Sequence, residues 1–157
     1  MHVSQVETSP TVAADVPGLR IVLEQTGLFP VEALDDMLAS FFASEGQEQW
    51  LTARHDGAPV GFAFFRPEAH TDGTWNVLAI AVLPEHHSGG IGSRLMQHVE
   101  DILRSDGQRV LLVETSGTSK YKATRAFYRA KHYTEVARIP EYWEAGDDKV
   151  IFHKHLR

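Results

Sequence analysis

The chain contains no cysteine. That excludes disulfides, a thiol nucleophile and thiolate-bound metal, and it fits a reducing compartment. It has no surplus of basic charge either: 15 lysines and arginines stand against 21 aspartates and glutamates, for a formal net charge of -6. Nucleic-acid binders carry a basic patch or a basic balance, so no nucleic-acid partner is expected; the acidic balance serves solubility or suits a cationic amine. No apolar run approaches the ~20 residues that cross a bilayer, so no membrane partner is expected. The stretch from Met1 to Leu19 is polar and acidic, without the basic head and apolar block of an export signal. Repeats, low-complexity tracts and linker-like segments are also missing. These absences leave one cytoplasmic domain over residues 1–157. Hydrophobic residues make up 43% and charged residues 23%, an ordinary globular balance with enough chain to bury a core.

Periodicity gives the elements. Met1 to Glu7 reads as a short edge strand or a loose end. Asp15 offers an N-cap and Pro17 a first turn; Val16, Leu19, Val22 and Leu23 follow at helical spacing, and Gly27 is a stop. A second helix is expected from Val31 to about Ser44, with an apolar stripe of Leu34, Met37, Leu38, Phe41 and Phe42. The period then changes. Trp50 to His55 and Val60 to Arg66 read as strands joined by a turn at His55–Pro59. Thr74 to Leu83 reads as a buried strand, Gly90 to Ser105 as a helix closed by Asp106-Gly107, and Val110 to Glu114 as another buried strand. A helix follows from Tyr121 to about Lys131. Tyr133 to Ile139 and Val150 to Leu156 close the chain as strands, with a loop from Pro140 to Lys149 between them. The expected class is α/β, with helices covering a central sheet.

The most informative run is Ile80-Ala81-Val82-Leu83-Pro84-Glu85-His86-His87-Ser88-Gly89-Gly90-Ile91-Gly92-Ser93-Arg94. A buried strand ends, a short loop turns, and glycines open a helix. The first turn of a helix leaves N–H groups without partners at its positive end, where phosphate oxygens fit. Glycines let a ligand approach that backbone, and Ser93 and Arg94 offer side-chain donors. No lysine follows the glycines, so this is not a P-loop. Leu95 stands where a dinucleotide fingerprint needs its third glycine.

At this run the sequence resembles the Gcn-five-related N-acetyltransferase (GNAT) superfamily. Its signature, Gln/Arg-x-x-Gly-x-Gly/Ala, is met by His87-Ser88-Gly89-Gly90-Ile91-Gly92, with histidine in the first position. The resemblance continues downstream. Thr124, Tyr128 and His132-Tyr133 occupy the places of Ala, Tyr and Gly-Phe in the family's Ala-x-x-x-Tyr helix and the strand after it, and Tyr121 stands where many relatives carry an asparagine that contacts the cofactor. It reaches the chain's end through Ala137-Arg138-Ile139-Pro140 and Gly146-Asp147-Asp148-Lys149, a pattern shared with small bacterial-type members. The resemblance implies a GNAT fold: a mixed sheet of about six to seven strands flanked by about four helices. It implies an acetyl-CoA-dependent N-acetyltransferase. The backbone of Ile80, Ala81 and Val82 would pair with the pantetheine arm. His87, Ser88, Gly89, Gly90, Ile91, Gly92 and Ser93 would hold the pyrophosphate, with Tyr121 and Thr124 nearby. Tyr128 would protonate the departing thiolate. Glu114 would serve as general base, although it can equally cap its loop or pair with Arg109 or Lys120. The acceptor would be a small-molecule or peptide amine, and a homodimer through the closing strands is known among relatives. His132 would adopt positive φ where glycine is usual.

Other readings are set aside. His86 and His87 are adjacent and do not readily face one ion, and His153 and His155 share a strand face without a third ligand, so no metal is expected. No Gly-x-Ser-x-Gly elbow is present. Tyr142 and Trp143 are candidate walls of an acceptor groove or simple packing residues. The alternative function is a non-catalytic acyl-CoA sensor or interaction module, which would keep the glycine cradle without needing Tyr128.

Overall fold

The computed structural model describes residues 5–87 and 89–157. Seven strands form one mixed sheet in the order β1-β2-β3-β4-β5-β7-β6. The strands are β1 (Val6–Pro10), β2 (Gln49–His55), β3 (Ala58–Pro67), β4 (Thr74–Val82), β5 (Val110–Ser116), β6 (Thr134–Glu144) and β7 (Asp147–His155). Four helices accompany them: α1 (Val16–Thr26), α2 (Leu34–Phe42), α3 (Ile91–Ser105) and α4 (Lys122–Ala130). The chain divides into two compact units: one comprises the residues up to Arg66 with Ala79–Ile102, the other Pro67–Leu78 with Leu103–Arg157.

In the first unit, β1 pairs antiparallel with β2, from Val6 opposite His55 to Pro10 opposite Leu51. Of the stretch Met1–Glu7, read as an edge strand or a loose end, Val6 and Glu7 belong to β1; residues 1–4 lie outside the described residues. Pro10 is tolerated because β1 is an edge strand. The β2–β3 turn is tighter than the sequence suggests. Asp56 and Gly57 both have positive φ (50° and 88°), the pattern of a two-residue hairpin turn. β3 is buried without interruption from Val60 to Phe65, as a central strand should be. Trp50 stacks on Phe64 with ring centroids 4.7 Å apart and tilts against Phe62 at 5.4 Å; such pairs add about 0.5–1.5 kcal/mol beyond their buried area.

α1 ends as expected, at Gly27 with φ 65°. Its start is different. Asp15 does not cap the helix with its side chain. Its carboxylate accepts from the backbone N–H of Val12 at 2.9 Å and pairs with Arg54 of β2, whose Nε lies 3.0 Å from Oδ1 and whose Nη2 meets Oδ2. The side chains of Asp15 and Arg54 are 5% and 11% exposed. Removing one partner strands the other charge in a desolvated site, so Arg54→Met is expected to cost about 3–5 kcal/mol, read as a lowered denaturation midpoint at unchanged slope.

In the second unit, β4 and β5 run parallel over Thr74–Val77 and Val110–Val113. β5 pairs antiparallel with β7 from Val110 opposite His155 to Ser116 opposite Lys149. β6 and β7 form an antiparallel hairpin. The sequence suggested a loop over Pro140–Lys149, but both strands continue through it and turn only at Ala145-Gly146, where Gly146 has φ 80°. A register shift between Ile139 and Glu144, with Glu141 at φ 53°, folds the extra residues into a bulge. Trp75, Val77, Leu103, Leu111, Val113, Tyr128, Tyr133, Val150, Phe152 and Leu156 are the buried apolar residues around which this unit is built.

Candidate functional site

The glycine segment is built stepwise. Leu83 donates to Val60 O at 2.8 Å, pinning the end of β4 to β3. Gly61 explains how the two strands come so close: a Cβ there would stand 2.8 Å from Ala81 O. Sequence reading missed this glycine, and an isolated glycine in a strand was its available signal. Pro84 opens a single 3-10 turn, Pro84–His86, in which the N–H groups of His86 and His87 bond to Leu83 O and Pro84 O. Gly89 N–H bonds to His86 O at 3.1 Å. Gly90 has φ 75°, a left-handed conformation that favours glycine. Arg94 N–H then closes the first turn of α3 on Gly90 O at 3.0 Å. By that geometry the N–H groups of Ile91, Gly92 and Ser93 precede the helical ladder. Among the described residues, a Cβ on Gly90 would meet nothing within 4 Å, which leaves room beside the backbone at this corner.

Two side chains near the glycines make bonds to neighbouring strands. The His87 ring turns back, and its Nε2–H donates to Val82 O at 2.7 Å. It ties the loop to the end of β4. Arg94 Nη1 donates to Val6 O of β1 at 2.7 Å. Ser88 lies outside the described residues. Ile80, Ala81 and Val82 lie past Val77, where the ladder with β5 ends.

The second unit carries the ionisable candidates. Alternation along a strand sends successive side chains to opposite faces. Val113 sits opposite Phe152 and Glu114 opposite Ile151, so these two pairs occupy opposite faces of the β5–β7 ladder. Tyr128 of α4 packs on the Phe152 face, with ring centroids 5.6 Å apart, and also meets Tyr133 at 5.8 Å and Phe127 at 5.3 Å. It is 2% exposed. Burial pushes its hydroxyl well above the ordinary phenol value of 10.0, since desolvation disfavours phenolate. Glu114 therefore stands on the other face from Tyr128.

Glu114 pairs with neither Arg109 nor Lys120. Its Oε2 lies 2.7 Å from the Lys149 ammonium. Arg109 instead donates through Nε to Asp72 O, and the Lys120 ammonium sits over the Tyr121 ring at 5.6 Å. Lys149 lies 4.1 Å from the ring centroid of Tyr142 and 5.8 Å from that of Trp143, and Trp143 Nε1–H donates to Thr115 O at 3.3 Å. Burial works against the lysine's charge, but the hydrogen bond and charge of Glu114 more than offset it, and its pKa is raised. The loop after β5 is held by Arg125, whose Nη1 donates to both Ser116 O and Thr118 O at 2.8 Å. Ser116 Oγ donates to Asp147 Oδ1 at 2.5 Å. Tyr121 and Thr124, both half-buried, follow this loop at the start of α4, at i and i+3 relative to each other. His132 has φ 71° and closes α4 in a left-handed cap, with Tyr133 N–H on Tyr128 O at 3.0 Å.

Residues 19–133 match the model of the acetyltransferase (GNAT) family. The chain belongs to the GNAT acetyltransferase family. An IAA acetyltransferase from Azospirillum brasilense is 30% identical over 118 residues, spanning 67% of this chain and 74% of that protein. A protein of the GNAT family from Desulfovibrio desulfuricans shares 30% identity with a TM-score of 0.87, covering 98% of this chain and 100% of that one. A protein from Salmonella typhimurium solved with its cofactor acetyl-CoA has the same fold at 15% identity, with a TM-score of 0.76 over 97% of this chain and 94% of that one. The family match begins within α1 and ends at Tyr133, the residue after the αL cap. The hairpin of β6 and β7, with Lys149, Tyr142 and Trp143, lies beyond it.

Proposed function

We propose that this GNAT enzyme moves the acetyl group of acetyl-CoA to a primary amine by direct attack, without an acetyl-enzyme. The observation that carries this reading is the division of labour across β5: a carboxylate on one face and a desolvated, protonated phenol on the other. An amine arriving on the Glu114 face can lose its proton there while the sulfur leaves toward Tyr128. When bound, acetyl-CoA supplies an activated acyl carbon. The residues fit its phosphates: Gly90 keeps the corner open, and the N–H groups of Ile91, Gly92 and Ser93 lie at the positive end of α3. Ile80 to Val82 would offer backbone groups to the pantetheine arm, one N–H there supporting the developing negative charge on the carbonyl oxygen.

Glu114 has a defined task. An alkylammonium near pKa ~10.4 is mostly protonated at pH 7, and exposing its lone pair costs roughly 4 to 5 kcal/mol at ~1.36 kcal/mol per unit. A carboxylate in hydrogen-bond reach, directly or through one water, takes that proton as the nitrogen attacks. Glu114→Gln is expected to lower kcat/KM for the amine by about 10²-fold at pH 7. The test is steady-state kinetics over a panel of primary amines, with coenzyme A release as readout. Intersecting initial-velocity lines and no mass gain on the protein from acetyl-CoA alone support direct transfer. Parallel lines with an acetylated protein would overturn it.

A further inference from the structure

Taking Glu114 as the base, as proposed above, we propose that Lys149 is a positioning residue: its ammonium fixes Glu114 and the Tyr142–Trp143 pair to each other, so that they meet the acceptor as one preformed surface. Lys149 is 9% exposed and is the buried lysine among the described residues. Burying an ammonium costs several kcal/mol, and a well-packed apolar residue in its place is often neutral or stabilising. Stability alone therefore gives little reason for a lysine here. What the ammonium does is hold three groups from two other strands. It binds one oxygen of Glu114 on β5, Oε2 at 2.7 Å. It also lies against the rings of Tyr142 and Trp143 at the end of β6, a favourable setting for a cation.

The hairpin is shaped to bring these partners in. The bulge between Ile139 and Glu144 shifts the register. Asp148 Oδ1 accepts from the Glu141 N–H at 3.0 Å, and its Oδ2 lies 3.3 Å from Arg138 Nη1. Asp147 takes the Ser116 hydroxyl. The two aspartates of the Gly146-Asp147-Asp148-Lys149 run are thus committed to the turn, and Lys149 alone of the four reaches Glu114. Tyr142 and Trp143 remain 50% and 47% exposed, so each keeps an outer surface for an acceptor while its inner side rests on the lysine. With Oε2 held, Oε1 is the oxygen left to receive the amine's proton.

The test is a double-mutant cycle with n-butylamine as acceptor, using Lys149→Met, Lys149→Arg, Glu114→Gln and the Glu114→Gln/Lys149→Met pair. Coenzyme A affinity and the melting curve report on the fold. Expected results are a tenfold or greater fall in kcat for Lys149→Met with coenzyme A affinity within twofold, and recovery to within about fivefold in Lys149→Arg. Adding Lys149→Met to Glu114→Gln should change kcat less than twofold, because Lys149 acts through Glu114. Should Lys149→Met fail to fold, Lys149→Gln carries the same comparison. Multiplicative losses in the double variant, or wild-type turnover in Lys149→Met while Glu114→Gln is slow, overturn the role of Lys149 alone. Wild-type turnover in Glu114→Gln overturns the base assignment and this proposal with it.

Discussion

Tyr128→Phe is expected to lower kcat by about 10²-fold or more while leaving acetyl-CoA affinity within about twofold. The substitution removes one oxygen and keeps the ring that packs on Phe127, Tyr133 and Phe152. The fold should not notice. A positioned hydrogen-bond donor contributes about 10²–10⁴ to a step in which charge develops on the leaving atom, or about 2.7 kcal/mol of barrier for each 10². Single-turnover acetyl transfer, followed by coenzyme A release, measures this directly. A Tyr128→Phe enzyme that turns over at the wild-type rate would make Tyr128 a packing residue.

The raised pKa of Tyr128 sharpens what the hydroxyl does. A free thiol has a pKa near ~8.5, so a phenol held above 10.0 is the weaker acid. In the proposed role, Tyr128 would act first by donating a hydrogen bond to the sulfur, and it would give up its proton only where desolvation raises the sulfur's own proton affinity. The sign of the pH effect follows. A raised pKa keeps the phenol protonated to higher pH, so kcat should not fall through Tyr128 between about pH 8 and 10. A basic limb near pH 9 that disappears in Tyr128→Phe would contradict this.

Much of this was legible in the sequence because local chemistry decides it. Gly27, Gly90 and Gly107 mark helix boundaries with positive φ, and His132 holds the strained φ that its place in the motif implies. What was not legible depends on pairing between distant strands. Asp15 looks like a helix cap because its neighbours are visible in sequence and Arg54 is not; the ion pair exists only once β2 is laid beside β1. The partner of Glu114 was sought among nearby charges, Arg109 and Lys120, whereas the β5–β7 register supplies Lys149. Pro140 to Lys149, the inner part of the β6–β7 hairpin, reads as a loop for a related reason. β6 is exposed along its whole length, so it carries no alternation of buried and open positions. Pro140, Gly146 and two aspartates are turn chemistry, here spent on a bulge and a tight turn inside continuous strands.

Gly92→Glu is expected to abolish acetyl-CoA binding in a protein that still folds. Gly92 is the second residue of α3. A glutamate in the first turn of a helix is locally favourable, because its charge complements the positive end of the dipole. The same carboxylate would stand where the pyrophosphate is proposed to sit, adding both bulk and like charge. Helix stability and ligand binding are thus driven in opposite directions by one substitution, which separates the two. Wild-type protein with acetyl-CoA at about 100 times its Kd should gain roughly 2.7 kcal/mol, a rise in Tm on the order of 5 to 11 °C for a domain of this size. Gly92→Glu should melt near the unliganded wild-type temperature and gain nothing from the ligand. A retained shift in Gly92→Glu would move the phosphates away from α3. If millimolar acetyl-CoA or coenzyme A gave no shift in the wild type, the glycines would only shape a helix entry, and the division of acid and base across β5 would have no thioester to act on.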